Sequence, residues 1–438
     1  MNTDAKPEEK DPARPVFWGL LLLGFALRTA YVFSVKVLPW SDMASWDMAR
    51  SALAAGLPYP VGWTPLYPIV LALVTKVFGE SYVLFNMVNV LFSTLTCLFI
   101  YLCVKEAFGR KAGYISLVLS AVYVDMIWYC GVMMAETFGM LLLTVTVYLV
   151  IRNKSSALGG FFLGLTCMVK ALFIIGLPAF LFWIYYKYKE DGWLKRAVIF
   201  TAFTFLTILP WSIRGARLKD TPTILEPTWA DTIFVGHNPY ATGGADFYFN
   251  QEEYGKFYVD DSLSKAEKSR ICLDKALTFI RENPWREVQL FFLKISKHLS
   301  FVSSFSFYSG DYPARKTMFV LSLLENMIIF PLCVLGIAFS FKDKNAAGPI
   351  AIIAVFVGVF VTLFCAEGRK RMPFIPSVLI LASYGASLLP GVIEAVKKGE
   401  AGKMRGRLGA AAVCSGLLFL NLLYQVATRY RDVLGRFH

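Results

Sequence analysis

The sequence predicts an all-α protein that crosses a membrane many times. Of its 438 residues, 56% are hydrophobic and only 17% are charged, whereas soluble domains carry about 25% charged residues. Apolar runs approaching the roughly 20 residues that cross a bilayer recur from end to end. The net charge is 44 − 31 = +13, and the positive-inside rule accounts for most of the basic loops. The charge therefore predicts no nucleic-acid partner.

The apolar runs predict about 11 transmembrane helices, within a range of 10 to 13. The candidate spans are 16–36, 82–104, 112–128, 137–151, 157–170, 171–186, 197–213, 317–341, 348–365, 373–390 and 408–427. Another apolar run, from Pro65 to Phe78, has only about 14 residues, so we expect an interfacial or re-entrant helix there.

Loop charges predict the orientation and divide the chain. The basic loops fall on the same side as the N-terminal tail, which makes that side cytoplasmic and the first loop external. The predicted parts are a disordered tail (1–15), an N-terminal transmembrane catalytic module (16–213, with external loop 37–81), an external loop with juxtamembrane helices (214–316) and a C-terminal transmembrane module (317–438). Short loops favour a bacterial inner membrane, with any active site on the periplasmic face.

Helix signals also occur within the external loop. The segment from Ser264 to Glu267 resembles a capping box that opens a helix, and Asn283-Pro284 should end it. An aromatic-rich helix from Trp285 to Phe307 is expected to lie in the membrane interface. The turn-rich stretch from Gly236 to Gly244 is predicted to be loop.

The eight cysteines predict no metal site. Most lie within apolar segments, without a Cys-x-x-Cys pair or a histidine at a spacing typical of a metal site. We interpret them as small buried hydrophobic residues.

Candidate catalytic acids lie at external ends of the predicted spans. Asp42 and Asp47 follow the first span, and Glu136 begins the fourth. A carboxylate acting as general base typically contributes about 10²–10⁴-fold to a rate. Asp47 has a simpler alternative, as a negative charge near a helix N-terminus.

Basic residues on the external side break the positive-inside pattern: Lys170, Arg214, Arg369, Lys370 and Arg371. Guanidinium groups bind phosphate through forked hydrogen bonds. Alternatively, each cation pairs with a carboxylate, such as Glu136 or Glu367, or with lipid head groups. Acids and phosphate-binding cations on one face are what glycosyl transfer from a lipid phosphate requires.

Short motifs along the chain together resemble a known superfamily. They are Ser41-Asp42 with Ala49 and Gly56, Thr64-Pro65-Leu66-Tyr67-Pro68, Ala135-Glu136-Thr137, Gly164-Leu165 through Lys170, Pro210-Trp211-Ser212-Ile213-Arg214, Gly236-His237-Asn238-Pro239 and Arg369-Lys370-Arg371-Met372-Pro373. Their order resembles the GT-C superfamily of integral-membrane glycosyltransferases, in the branch of protein O-mannosyltransferases and lipid A aminoarabinose transferases. Thr64, Gly215 and Lys370 depart from the family pattern of Pro, Asn and Tyr.

The resemblance implies a GT-C fold and an inverting, metal-independent transferase without cofactors. The donor would be a sugar on a polyprenyl (undecaprenyl-type) monophosphate, and the acceptor a hydroxyl on a lipid, glycan or protein. Asp42 would be the general base, with Asp47 or Glu136 as a second acid. The donor phosphate would be bound by Lys170, Arg214, Arg369 and Arg371. The donor or acceptor pocket would involve Trp46, Tyr67, His237 and Asn238.

Two other classes of function remain open. A polyprenyl-linked sugar or lipid transporter would use Arg28, within the first span, and Lys170 for substrate or ion coupling. Transporters are often built from inverted repeats, and the sequence has no convincing internal repeat. A non-catalytic scaffold would tolerate Asp42→Asn without loss of function.

Overall fold

The protein is helical throughout the part that can be described. A computed structural model describes residues 14–35, 39, 42–59, 64–218, 229–244, 263, 265–301, 314–366 and 368–435. The α-helices are α1 (Arg14–Ser34), α2 (Asp42–Ala54), α3 (Leu66–Phe78), α4 (Tyr82–Phe108), α5 (Arg110–Val122), α6 (Val124–Trp128), α7 (Glu136–Ile151), α8 (Ser156–Val169), α9 (Gly176–Tyr188), α10 (Trp193–Leu218), α11 (Trp229–Gly236), α12 (Lys265–Glu282), α13 (Pro284–His298), α14 (Ala314–Ser340), α15 (Ala347–Leu363), α16 (Ile375–Lys397) and α17 (Arg405–Gly435). Short 3-10 helices include Ala171–Ile175 and Gly368–Phe374.

The helix lengths identify an integral membrane protein. Within the described ranges, seven helices are long and apolar enough to cross a bilayer, or eight when the bent pair α5–α6 counts as one span. Helices α3, α7, α8 and α15 are apolar but shorter. The count by length is thus below the predicted 11, because α7, α8 and α15 fall short of the roughly 20 residues of a perpendicular crossing.

The predicted span 112–128 is broken at Tyr123, where α5 and α6 meet at a bend of 51°. Side chains from distant helices satisfy the backbone groups that the break exposes. Arg28 donates to the carbonyls of Ala121 (2.8 Å) and Ser120 (2.9 Å). The Val124 amide donates to Glu325 Oε2 (2.8 Å). The Arg28 cation thus lies at a helix C-terminus, where the helix dipole favours positive charge.

The external loop agrees in part with its predicted elements. Helix α12 ends at Glu282 and α13 begins at Pro284, as the Asn283-Pro284 signal predicts. The aromatic-rich helix ends at His298, before the predicted Phe307, and its last helical hydrogen bond runs from the Leu299 amide to the Ile295 carbonyl (2.9 Å). Several predicted positions lie outside the described residues, namely 1–13 of the tail, Ser264, 302–307 and Glu367.

Glycines allow two helix pairs to pack with their backbones in close approach. A Cβ on Gly160 of α8 would lie 2.1 Å from the Phe200 carbonyl oxygen of α10, and one on Gly336 of α14 would lie 2.0 Å from the Leu381 carbonyl oxygen of α16. Small residues at such crossings are typical of helix association in membranes.

The basic loops predicted to be cytoplasmic contact one another. Arg152 pairs with Glu106 (2.9 Å), Arg196 donates to Asn153 (3.2 Å), and Lys187 donates to Asn345 (3.0 Å). The opposite ends of the same helices begin or end near Glu136, Lys170 and Phe374. These contacts support the predicted division of the loops into two ends.

Candidate functional site

The site is centred on an ion pair between residues 327 positions apart in the sequence. Asp42 is the first residue of α2, and its Oδ2 accepts a hydrogen bond from Nη1 of Arg369 in the 3-10 helix Gly368–Phe374. Both side chains remain partly accessible, at 31% for Asp42 and 21% for Arg369. The predicted base and a predicted phosphate ligand are therefore in contact and within reach of solvent.

Several elements hold the segment that carries Arg369. The 3-10 helix Gly368–Phe374 packs against α7, α15 and α16. Just before it, Ala366 donates its amide to the Gly243 carbonyl (2.8 Å), and Ala366 forms a parallel bridge with Gly244. The turn-rich stretch of the external loop thus holds the backbone just before the 3-10 helix that carries Arg369.

A second ion pair joins Glu136 and Lys170 (2.7 Å). Glu136 begins α7 and is 3% exposed, whereas Lys170 stands in an extended conformation between α8 and Ala171–Ile175. Within the described part of the chain, Glu136 Oε2 has no hydrogen-bond partner. Nearby, Thr64 Oγ1 donates to the Val169 carbonyl (2.7 Å) and ties the Thr-Pro turn to Lys170. The pair realises the simpler alternative for Lys170, a carboxylate partner.

Asp47, also in α2, is bound by side chains other than Arg369. Its carboxylate accepts from Arg50 Nε (2.7 Å) and from the Tyr82 hydroxyl (2.9 Å). Arg50 is fully buried and also lies 3.2 Å from Glu80. Sequence reasoning missed Arg50, although its i,i+3 spacing from Asp47 signals a pair. These contacts give Asp47 a bracing role between α2 and α4.

Trp46 and Tyr67 are buried. Their rings meet edge to face with centroids 6.0 Å apart. The Tyr67 hydroxyl lies 3.2 Å from Asn89 Nδ2, and Asn89 Oδ1 accepts from Thr137 Oγ1 (2.9 Å). Trp46 and Tyr67 therefore join α2 to α3, and Asn89 links Tyr67 to Thr137, the neighbour of Glu136 in α7. The sequence analysis did not identify Asn89, because a single Asn in an apolar helix does not indicate which residues it will contact.

Arg214 and Arg371 are anchored by separate contacts. The Arg214 guanidinium lies over the rings of Trp211 (4.6 Å) and Tyr59 (5.6 Å). Arg371 is buried and donates to the Ser300 carbonyl. Of the four predicted phosphate ligands, Arg369 contacts Asp42 and Lys170 contacts Glu136.

His237 lies at the centre of a buried charged cluster. Its Nδ1 is 2.7 Å from Glu287 Oε2, and its Nε2 is 3.0 Å from Lys294 Nζ. Because an ammonium group only donates, Nε2 is the acceptor and Nδ1–H donates to Glu287. Burial lowers the pKa of Lys294 to about 8, against the opposing effect of Glu287. His237 and Lys294 lie 57 residues apart in the sequence, so no local sequence pattern predicts the cluster.

Asn238 ends α11. Its Nδ2 donates to the carbonyls of Phe234 (2.9 Å) and Val235 (3.1 Å), and its Oδ1 accepts from the Tyr240 amide (2.9 Å). Asn238 therefore shapes the turn beside His237. Among the described residues, no group of three or more His, Cys, Asp or Glu side chains is arranged to hold a metal ion.

The fold and the site define a polytopic helical membrane protein with paired acids and cations at one end. Residues 62–213 match the family model described as dolichyl-phosphate-mannose-protein mannosyltransferase. This match confirms the family resemblance over residues 62–213, which are less than half of the chain. It contains Glu136 and Lys170, whereas Asp42 and Arg369 lie outside it.

Solved structures show a similar fold. The chain is similar to the apo oligosaccharyltransferase of Archaeoglobus fulgidus, with a TM-score of 0.55 and 13% identity over 95% of this chain and 55% of that one. It is also similar to archaeal oligosaccharyltransferase AglB from the same organism, in complex with an inhibitory peptide and a dolichol-phosphate, with a TM-score of 0.54 and 12% identity over 93% and 54% of the two chains. The chain thus spans about half the length of these structures.

A third structure is similar at a lower score. It is apo ArnT from Cupriavidus metallidurans, with a TM-score of 0.43 and 13% identity over 86% of this chain and 77% of that one. A comparison with curated protein sequences finds no match.

Proposed function

We propose that the protein transfers a sugar from a polyprenyl-monophosphate donor to a hydroxyl acceptor, with Asp42 as the general base. The proposal rests mainly on the contact between Asp42 and Arg369. It joins a carboxylate to a guanidinium group that could bind phosphate, and both side chains are partly exposed to solvent. The family match of residues 62–213 supports the class of donor.

In the proposed reaction, Asp42 takes the proton of the acceptor hydroxyl as its oxygen attacks the anomeric carbon. The bond from that carbon to the phosphate oxygen breaks, and its electron pair leaves on the phosphate. Attack from the face opposite the leaving group inverts the anomeric configuration. Arg369 stabilises the charge that develops on the departing polyprenyl phosphate.

Glu136 is proposed to bind a substrate hydroxyl. Lys170 occupies Oε1 of its carboxylate, while Oε2 has no hydrogen-bond partner among the described residues. An unsatisfied buried acceptor costs about 1–3 kcal/mol, and a sugar hydroxyl would satisfy it. The acceptor itself could be a lipid, a glycan or a protein.

The proposed membrane arrangement counts α7, α8 and α15 as short or tilted spans, which gives about 11 crossings. The end with the Arg152, Arg196 and Lys187 contacts would face the cytoplasm. The Asp42 end would then face the periplasm of a bacterial inner membrane.

Arg28 gives little support to a transporter. Its side chain is fully buried and donates to Ser93 Oγ (2.8 Å) and to the carbonyls at the end of α5. A side chain so fully engaged stabilises the α5–α6 break and is not open to an ion or substrate.

The test is sugar transfer by purified protein from a panel of undecaprenyl-phosphate sugars, with water and simple alcohols as acceptors. We expect wild type to release undecaprenyl phosphate from one donor of the panel and Asp42→Asn to release none. Glu80→Gln, which removes another carboxylate near α2, is the matched control and should keep activity. Turnover by Asp42→Asn would remove Asp42 as the base.

A further inference from the structure

The side chains of Asp42 and Arg369 form an ion pair with each other in the structure. We propose that the Asp42–Arg369 ion pair is a latch that the donor phosphate opens. The phosphate takes the Arg369 guanidinium from Asp42, and the carboxylate is thereby released to accept the proton of the acceptor hydroxyl. The inference rests on the proposed function and adds an order of binding to it, with the donor first.

Competition for Arg369 follows from its chemistry. Carboxylate and phosphate oxygens are both anionic acceptors for the same forked donors of a guanidinium group. The neighbouring Lys370 donates to the Cys365 carbonyl (3.0 Å), and Arg371 donates to the Ser300 carbonyl. The run of three cations therefore attracts a phosphate, while Arg369 is the member that faces Asp42.

The exposures of the two ion pairs indicate which one exchanges. Glu136 is only 3% exposed and Lys170 is 24% exposed, so their pair is mostly buried. Asp42 and Arg369 are 31% and 21% exposed. Opening a buried pair leaves an uncompensated buried charge, whereas opening a partly exposed pair lets water or ligand take over. The Asp42 pair is the exchangeable one.

The position of Asp42 in α2 favours its negative charge independently of Arg369. Asp42 is the first residue of the 13-residue helix α2, and a helix N-terminus stabilises a negative charge. Release by phosphate thus produces a carboxylate that is ready to act as a base. Before the donor arrives, the same carboxylate is held by Arg369 and binds acceptor hydroxyl groups weakly.

The test measures binding without chemistry, using undecaprenyl phosphate titrated into purified protein in nanodiscs. If Asp42 competes with the phosphate, Asp42→Asn should bind undecaprenyl phosphate more tightly, by roughly two- to fivefold for a partly exposed pair. The gain should disappear in the background of Arg369→Ala, which itself binds more weakly. Glu80→Gln, with the same change of charge, should bind like wild type.

Equal or weaker binding by Asp42→Asn would overturn the latch, because it would mean that Asp42 orients Arg369 for phosphate and does not compete with it. A gain of affinity that persists in the Arg369→Ala background would also overturn it. The proposed function fails separately, when wild type releases no undecaprenyl phosphate from any donor in the transfer assay.

Discussion

At the scale of single residues, the contacts of each charged side chain distinguish structural residues from residues that a substrate could reach. Asp47 is locked by Arg50 and Tyr82, and Arg214 is held over Trp211. Asp42 remains partly exposed against Arg369. The sequence singles out Asp42, Asp47, Arg214 and Arg369 but not Arg50. Which charges pair depends largely on contacts between distant segments, so Asp42 and Asp47 look alike in the sequence.

The Glu136–Lys170 pair leads to a prediction about stability. Lys170→Met should destabilise the protein by about 2–4 kcal/mol, because it leaves the buried Glu136 carboxylate without its cation. Glu136→Gln combined with Lys170→Met should recover most of the loss, since the buried charge is then gone. Thermal unfolding in detergent measures both. Equal losses in the single and double variants would contradict a buried ion pair as the cause.

Lys294 leads to a prediction about pH. Its pKa is lowered from the ordinary value of 10.5 to about 8, so between these values the unfolded chain binds more protons than the folded chain. Stability from this group should therefore rise with pH from about 8 to about 10.5 and be constant below 8.

Thermal unfolding of wild type and Lys294→Met across pH 7 to 10.5 isolates this contribution, because other titrating groups cancel in the difference. Wild type should gain stability relative to the variant above pH 8. Parallel curves for the two proteins would show that Lys294 titrates normally.

At the scale of elements, apolar runs and end signals predict the helices well. The run from 137 to 151 matches α7, and Asn283-Pro284 separates α12 from α13. The break at Tyr123 could not be predicted, because its stabilising groups, Arg28 and Glu325, come from helices far along the chain. The apolar run through the break looks continuous in the sequence.

The break between α5 and α6 leads to a prediction about Glu325. Glu325→Leu should leave the Val124 amide without its acceptor and destabilise the protein by about 1–3 kcal/mol. Glu325→Gln keeps an oxygen acceptor and should have a smaller effect. Hydrogen exchange of the segment around Val124, together with thermal unfolding, provides the measurement. Unchanged exchange in Glu325→Leu would contradict the assigned role of Glu325.

At the scale of the whole molecule, the site is assembled from the start of α2, the start of α7, the end of α8 and the 3-10 helix before α16. The sequence predicts which chemical groups gather at one end, because loop charges and span parity place them there. It does not predict which acid meets which cation, since that depends on how the helices pack. The external loop contributes indirectly, through the bridge of Gly244 with Ala366 that positions Arg369.

In the proposed reaction, Asp42 activates the acceptor while Arg369 holds the donor phosphate. Both roles are measured at once by following bound donor and released undecaprenyl phosphate in the same reaction for wild type, Asp42→Asn and Arg369→Ala, with the donor that wild type uses. We expect Asp42→Asn to bind the donor and release nothing, and Arg369→Ala to lose donor binding. Release of undecaprenyl phosphate by Asp42→Asn at the wild-type rate would contradict the role of Asp42 as the base.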